Sequence, residues 1–477
     1  MEQNRYIYRY IFTLFLLVLF SGPLLADQSE QDSIQIDKVF IIGNRVTKEK
    51  IIKRELSLNE GQMLSREQLV EFIEADKNKI LNTRLFLSAY ISVIDVGEQK
   101  VDLIVRVVER WYIFPFPLLE LADRSFNEWW TNQNRDLSRI NYGLKLYKYN
   151  MRGMNETLIL NAQFGFTKLF GLQYNFPYID RAQKIGLKFT GFYSENNNIN
   201  YLTVNHRLQD LDSVKTDSWM RKRTRLGIDI NYRNSFYNIH TFSLDYSNNQ
   251  IRDTVAALNP FYFLNGDTRQ KYFSLAYSFR RDLRDFISYP LDGFLIQGNI
   301  SKLGLGIYND IDQLGIGLSY AHYFDLGKGF YLSGLLSGRT SFPEVQPYIA
   351  NNGVGFGNEI IRGYDLYVIE GQHFIMNKTT FKKRIFSHKQ QLGNLMPLEE
   401  FRTFPIDIYF KAFFDSGYIR NNWSFPENAN IRFTNNYIYG GGFGLDIVSF
   451  YDLVMRFEYS FNKAGESTFI FGIESEF

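Results

Sequence analysis

The chain contains no cysteine. That excludes disulfides, thiolate metal sites and a lipid-anchored N-terminal cysteine. Histidine is scarce, and the five present (His206, His240, His322, His373 and His388) are scattered without the paired spacing a zinc site needs. The formal net charge is only +2, so there is no global electrostatic case for nucleic-acid binding. No apolar run is long enough to span a bilayer as a helix. The most apolar stretch, Ile11–Phe20, follows Arg5 and Arg9 and is broken by Gly22-Pro23 ahead of Ala26. Residues 1–26 therefore read as a secretory signal, with cleavage expected after Ala26.

What is abundant is aromatic side chain, 17% of residues with 32 Tyr and 44 Phe. From about residue 140 to Phe477, apolar and polar residues alternate in short segments split by polar loops. Phe273, Leu275, Tyr277 and Phe279 share one parity, and Ser274, Ala276 and Ser278 the other. In lipid every backbone N–H and C=O must be paired, so a spanning sheet has to close on itself. One face then meets lipid and the other the lumen, which gives a period of two. The mean hydropathy of -0.25 does not argue against a membrane, because alternate positions hide the apolar half. Sixteen strand candidates follow: 140–148, 157–166, 169–176, 185–193, 201–206, 225–232, 239–247, 272–279, 294–300, 313–323, 329–337, 372–380, 405–414, 438–447, 453–461 and 467–477. Short connections (Thr167-Lys168, Asp325–Lys328, Ser449–Asp452) follow even candidates, and long ones (207–224, 248–271, 338–371, 415–437) follow odd ones. Short turns on the periplasmic side put both termini there. Residues 381–404 break the rule, a long connection where a short turn is expected.

Residues 34–109 follow a different pattern. Ile34–Ile42 alternates as a strand and Gly43-Asn44 marks a turn. Thr47 is placed to cap a helix over Lys48–Leu56. Ser65 and Gln68 form a capping-box pattern before a longer helix carrying Leu69, Phe72, Ile73 and Ile80 at helical spacing. Two strands, Ala89–Val96 and Lys100–Val108, complete a β-α-α-β-β unit. The order, with "IIGNRVT" after the first strand and "LIVRVVER" at the end, resembles one POTRA domain, a periplasmic module of bacterial outer-membrane proteins. Residues 110–139 are expected to be a linker, and 140–477 the outer-membrane barrel.

Three segments go beyond a generic barrel. Ile361-Arg362-Gly363-Tyr364 lies in a long loop, Phe413-Phe414-Asp415-Ser416-Gly417 ends a strand, and Asp282–Gly293 reads DLRDFISYPLDG. These resemble, in order, the (V/I)RG(F/Y) motif, the FxDxG motif and the D-x-RD…P…G turn of the outer-membrane protein assembly factor superfamily, the BamA/TamA-like and surface-antigen barrels. In the turn the matching residues are Asp282, Arg284, Asp285, Pro290 and Gly293. The terminal Phe477 matches the aromatic assembly signal that the resemblance implies. Parity puts Asp407, Lys411, Phe413 and Asp415 on the lumen side. A carboxylate there needs a cation, and Arg362 has the fork for bidentate pairing. The resemblance implies that the loop 338–371 folds into the barrel and that Arg362 meets Asp415.

The fold class expected is mainly β: a sixteen-stranded transmembrane antiparallel barrel preceded by one small α+β domain. The resemblance implies a non-enzymatic protein of the bacterial outer membrane with its POTRA-like domain in the periplasm. Gly353, Gly355, Gly357 and Gly440–Gly442 lack the strand–loop–helix context of phosphate loops, and the lumenal carboxylates form no nucleophile–base constellation. No cofactor is expected. Expected partners are outer-membrane lipids and nascent or secreted polypeptides, with accessory lipoproteins as a further class and no nucleic acid. Clients would add to the edge strand Ala89–Val96 by β-augmentation and template at a seam between Ile140–Lys148 and 467–477. The alternatives are a two-partner-secretion translocator, which typically carries two POTRA domains and a plug helix, and a passive porin or lipid-handling barrel.

Overall fold

A computed structural model describes residues 33–97, 99–122, 129–130, 134–211, 219–308, 310–351, 353–391, 403–423, 430–449 and 453–473. The signal segment 1–26 and Phe477 lie outside the described residues.

The small domain consists of β1 (Ser33–Ile42), α1 (Glu49–Lys53), β2 (Met63–Ser65), α2 (Arg66–Asn82), β3 (Phe86–Gly97) and β4 (Lys100–Glu109). Its four strands lie in the order β2-β1-β4-β3, with β1 and β4 parallel. Alternate residues of β4 (Val101, Leu103, Val105 and Val107) are buried against Ile51, Ile52, Leu69 and Ile80 of the helices. The Ser65–Gln68 capping box forms reciprocally and fixes the start of α2. Thr47 does not cap α1, whose N-cap is Lys48. Its hydroxyl bonds instead to Glu109 at 2.5 Å and accepts from Asn150 at 2.8 Å.

The barrel sheet has sixteen strands: β5 (Ile113–Leu121), β6 (Ile140–Met151), β7 (Glu156–Gly165), β8 (Thr167–Phe176), β9 (Ile185–Asn196), β12 (Arg221–Arg233), β13 (Asn238–Ile251), β14 (Arg269–Asp282), β15 (Gly293–Leu303), β16 (Gln313–Gly327), β17 (Phe330–Phe342), β18 (His373–Gln391), β19 (Thr403–Arg420), β20 (Tyr437–Ser449), β21 (Val454–Asn462) and β22 (Ser467–Ile473). Every pair of neighbouring strands in it is antiparallel. Among the described residues no ladder joins its ends, β5 and β22.

The expected number of strands is right through two errors that cancel. The stretch 110–139, read as a linker, contains β5, so the barrel starts at Ile113 rather than at residue 140. Pro115 and Pro117 hid it, since proline normally argues against a strand. In β5 the even residues face β6: the Tyr112 carbonyl accepts from the Tyr149 amide, and the Ala122 amide donates to the Arg139 carbonyl. The N–H positions of Pro115 and Pro117 therefore point away from β6, to the open edge, where their loss breaks no ladder. The candidate 201–206 is not a barrel strand. Its residues fall into a hairpin of β10 (Asn200–Val204) and β11 (Arg207–Asp210), outside the barrel sheet.

Inserting β5 moves the first strands by one place. The turn between β7 and β8 thus lies at the end far from the small domain, contrary to the expected side for Thr167-Lys168. The near end is marked by contacts: the Lys48 amide donates to the Gly153 carbonyl, Arg233 forks onto Glu55 at 2.9 Å twice, and Asn82 donates to the Asp285 carbonyl. Tyr178 of the turn between β8 and β9 is buried in the small domain's core, with Arg54 over its ring at 4.5 Å. The described part of the anomalous stretch 381–404 is strand: the β18–β19 ladder runs on to Gln391↔Thr403. Residues 384–391 are exposed, as expected of a hairpin outrunning its neighbours. Residues 392–402 lie outside the described residues.

At the far end, four long connections interlock. A short helix, α3 (Asp253–Leu258), packs with Ile199, Leu211, Tyr262 and Tyr348. His206 at the β10–β11 turn is buried, and its Nε2 accepts from the Phe433 amide at 3.0 Å. The His206 carbonyl accepts from the Val368 amide, tying the hairpin to the connection between β17 and β18.

Candidate functional site: a loop docked inside the barrel

The connection between β17 and β18 turns back into the lumen. A β-bridge between Val354 and Ile369 shapes it, and Ile361, Arg362, Gly363 and Tyr364 at its tip are buried. Gly363 has φ +95, and a Cβ there would lie 2.9 Å from the Phe461 carbonyl oxygen. Glycine is needed both for the backbone conformation and for the approach to β21. Tyr364 packs edge-on against Phe433, ring centroids 5.1 Å apart.

Arg362 reaches β19. Its Nε donates to Asp415 Oδ2 at 2.8 Å and its Nη2 to Oδ1 at 2.6 Å, while its backbone amide donates to the same carboxylate at 3.1 Å. The guanidinium also donates to Thr380 Oγ1 at 3.0 Å and lies 4.0 Å from the Phe413 ring centroid. Asp415 is fully buried, so this pair is withdrawn from water. Gly417 lies two residues further along β19, where a Cβ would come within 2.6 Å of Ile361. The structure thus brings Arg362, Gly363, Tyr364, Phe413, Asp415 and Gly417 together.

The charges continue along the wall. Lys411 lies 2.6 Å from Asp446 and 2.7 Å from Glu458, ion-pair distances off the line of a good hydrogen bond. Glu458 is also 3.5 Å from Arg362 and 3.9 Å from Arg456. Arg362, Lys411 and Arg456 thus face Asp415, Asp446 and Glu458. Burial of these charges is tolerable because each of the six lies within ion-pair distance of one of opposite sign. Lys411 had been legible only as a lumen-facing residue, and nothing in the spacing tied it to Asp446 and Glu458.

The Asp282–Gly293 turn sits apart from the loop tip, at the end near the small domain. Arg284 forks onto Asp282 at 2.9 Å through Nε and Nη2. Asp285 accepts from the Leu291 and Asp292 amides at 3.0 and 3.2 Å, closing the turn, and burial raises its pKa. Pro290 is buried, and Gly293 at φ +92 starts β15. Sequence reasoning missed Tyr289, whose hydroxyl donates to Asp446 at 2.8 Å. Lys382 stands over its ring at 4.3 Å and Tyr409 lies 5.0 Å away. The turn therefore crosses the near mouth and touches the same charge cluster as the loop. Two cavities flank the loop: one of about 810 Å³ towards the small domain, the other of about 710 Å³ under the far-end cap. Arg339 lines both and pairs with Glu359 of the loop at 3.2 Å.

Comparison with known proteins agrees with this architecture. The POTRA family, described as a surface antigen variable number repeat, matches residues 34–110, and the Omp85 superfamily domain matches residues 150–477. No curated protein matches the chain. Among solved structures, BamA from Haemophilus ducreyi lacking POTRA domains 1-3 is similar at 16% identity, with 92% of this chain and 84% of that chain covered and a TM-score of 0.50. CdiB from Escherichia coli is similar at 10% identity, with 95% and 92% covered and a TM-score of 0.51. A barrel with a docked loop, a single described POTRA domain and a family match over most of its length leads to one conclusion: the chain belongs to the Omp85 superfamily of outer-membrane barrels.

Proposed function

We propose that this protein assists the insertion of other polypeptides into the bacterial outer membrane, with its POTRA domain in the periplasm and without nucleotide hydrolysis. The observation that carries the reading is the pair of open sheet edges on one molecule. β3 is an edge strand of the POTRA sheet and exposes Tyr90, Val93, Ile94 and Val96. An unpaired, apolar edge offers an extended chain both hydrogen bonds and side-chain contact. The second is formed by the two ends of the barrel sheet, β5 and β22, which no ladder joins among the described residues. The expected seam strand Ile140–Lys148 is interior, paired on both sides, so β5 replaces it. The β5 edge lacks the donors of Pro115 and Pro117, and the Ile113 carbonyl is already taken by the Trp111 indole. β22 has no proline between Ser467 and Ile473 and keeps every donor. β22 is thus the edge on which a client strand templates.

The second reading is translocation through the lumen, favoured by the two cavities that the docked loop separates. Photocrosslinkers at Val93, Phe471 and Arg223 separate the two. Insertion gives client adducts at Val93 and Phe471, whereas translocation gives them at Arg223. Adducts at none of the three would end both readings.

A further inference from the structure

The outer face of the barrel is not uniform at its far rim. Strand register places Lys168 of β8 beside Glu195 of β9, Glu195 beside Lys222 of β12, Lys222 beside Gln250 of β13, and Gln250 beside Arg269 of β14. Directly paired residues point to the same side of a sheet. That side is the lipid side, because the same parity on these strands carries exposed Phe170, Tyr193, Leu226, Phe242 and Leu275. One step inward the row reads Phe170, Tyr193, Thr224, Asn248 and Lys271. The next reads Leu172, Gly191, Leu226, Tyr246 and Phe273, where the apolar belt begins.

These two rows hold four cations, Lys168, Lys222, Arg269 and Lys271, against the single carboxylate Glu195, which pairs with Lys222 at 3.0 Å. Asp253 and Asp267 lie in the connections beyond the strands, and the Asp310 carboxylate accepts from the Lys271 backbone amide. Trp219 sits at the rim with Lys222 4.5 Å and Arg252 4.8 Å from its ring centroid. Indole at the membrane interface marks headgroup level. The rest of the rim differs: outward positions there carry Phe342, Tyr418, Tyr437 and Phe461, while Lys302 of β15 is paired with Asp312 and Arg420 is bonded to Asn422. Cations two strands apart are spaced by roughly 10 Å, so the arc from Lys168 to Arg269 can hold more than one phosphate.

We propose that this arc, β8 to β14, binds the phosphate groups of an anionic lipid headgroup in the leaflet at the far end of the barrel. Basic residues at the headgroup level attract such lipids, and the aromatic neighbours orient the cations along the bilayer surface. The site is independent of whichever polypeptide the barrel handles, and it would anchor the wall opposite the charge cluster of β18–β21.

The test uses the full chain in phosphatidylcholine vesicles, doped with lipid A or with lipid A stripped of its phosphates. Unfolding is read by heat-dependent gel mobility. Intact lipid A is expected to raise Tm by several degrees, dephosphorylated lipid and free inorganic phosphate to leave it unchanged, and Lys168→Gln/Lys222→Gln/Arg269→Gln to abolish the rise. A rise retained by that triple variant, lost equally on Arg181→Gln/Lys184→Gln at the opposite end, or reproduced by inorganic phosphate overturns the assignment. Should the triple variant fail to fold, native mass spectrometry of Lys222→Gln decides: fewer retained lipids support the site, and an unchanged number refutes it.

Discussion

Replacing Asp415 by Asn should release the docked loop while leaving the barrel folded. Asp415 takes three of the hydrogen bonds made by Arg362. Removing its charge leaves the buried Arg362 guanidinium without the carboxylate it forks onto. Breaking one partner of a buried pair costs about 3–5 kcal/mol, which shifts the docked-to-undocked ratio by roughly two to three and a half orders of magnitude. The readout is amide hydrogen exchange. Val354, Gly355 and Ile369 are bonded within the loop, so they should exchange much faster, whereas Leu244 and Leu275 in the β13–β14 ladder should not change. A second variant separates charge from packing: Arg362→Met with Asp415→Leu removes both charges of the pair together, and buried ion pairs replaced by apolar residues are often nearly neutral in energy. The double variant should therefore lose less protection than either single one. If Asp415→Asn exchanges like the native protein, the pair does not hold the loop, and the reasoning fails.

Other consequences can be measured separately. Substituting Val for both Pro115 and Pro117 restores two donors to the open edge of β5, and two new backbone hydrogen bonds are worth about 1–3 kcal/mol; Tm should rise and client insertion slow, while an unchanged Tm would show that the prolines do not govern the seam. Gly363→Ala forces a Cβ into a φ of +95 and towards Phe461, costing about 1–3 kcal/mol, so loop exchange should increase without loss of the barrel's gel mobility. Burial lowers the His206 pKa to about 4, with Arg432 acting in the same direction. Because the unfolded imidazole binds its proton first as pH falls, the cap loses about 1.4 kcal/mol per pH unit from 6.5 down to about 4. Asp365, pushed up to about 6 by burial, acts in the opposite sense, so the comparison is native against His206→Gln: exchange at the Phe433 amide should rise with acidity only in the native chain.

Most of the barrel was legible because its signal is local. Alternation over a strand needs no knowledge of the neighbours, and Phe273 to Phe279 or Leu453 to Phe461 reveal their faces unaided. β5 was not legible, because its two prolines mimic a loop and are harmless only at an edge, a fact of topology rather than of sequence. The β10–β11 hairpin misled for the complementary reason: it alternates like a strand but pairs within its own connection. At the site, the loop arginine and the strand aspartate carried recognisable neighbours in Gly363 and Gly417. Tyr289 and Lys411 carried none, since the distance from Tyr289 to Asp446 is set by how the sheet closes. His206 read as one scattered histidine, and only the folded cap shows the Phe433 amide it accepts from.

Capture of an extended client at the POTRA edge β3, followed by its entry into the membrane, is the central step of the proposed function. The direct measurement is the rate at which an unfolded outer-membrane barrel becomes protease-resistant in vesicles, with and without this protein reconstituted in them. Native protein should accelerate that rate, and Val93→Pro, which removes a donor in the middle of β3, should return it towards the rate of empty vesicles. An unaccelerated rate with folded native protein, or full acceleration by Val93→Pro, would contradict it.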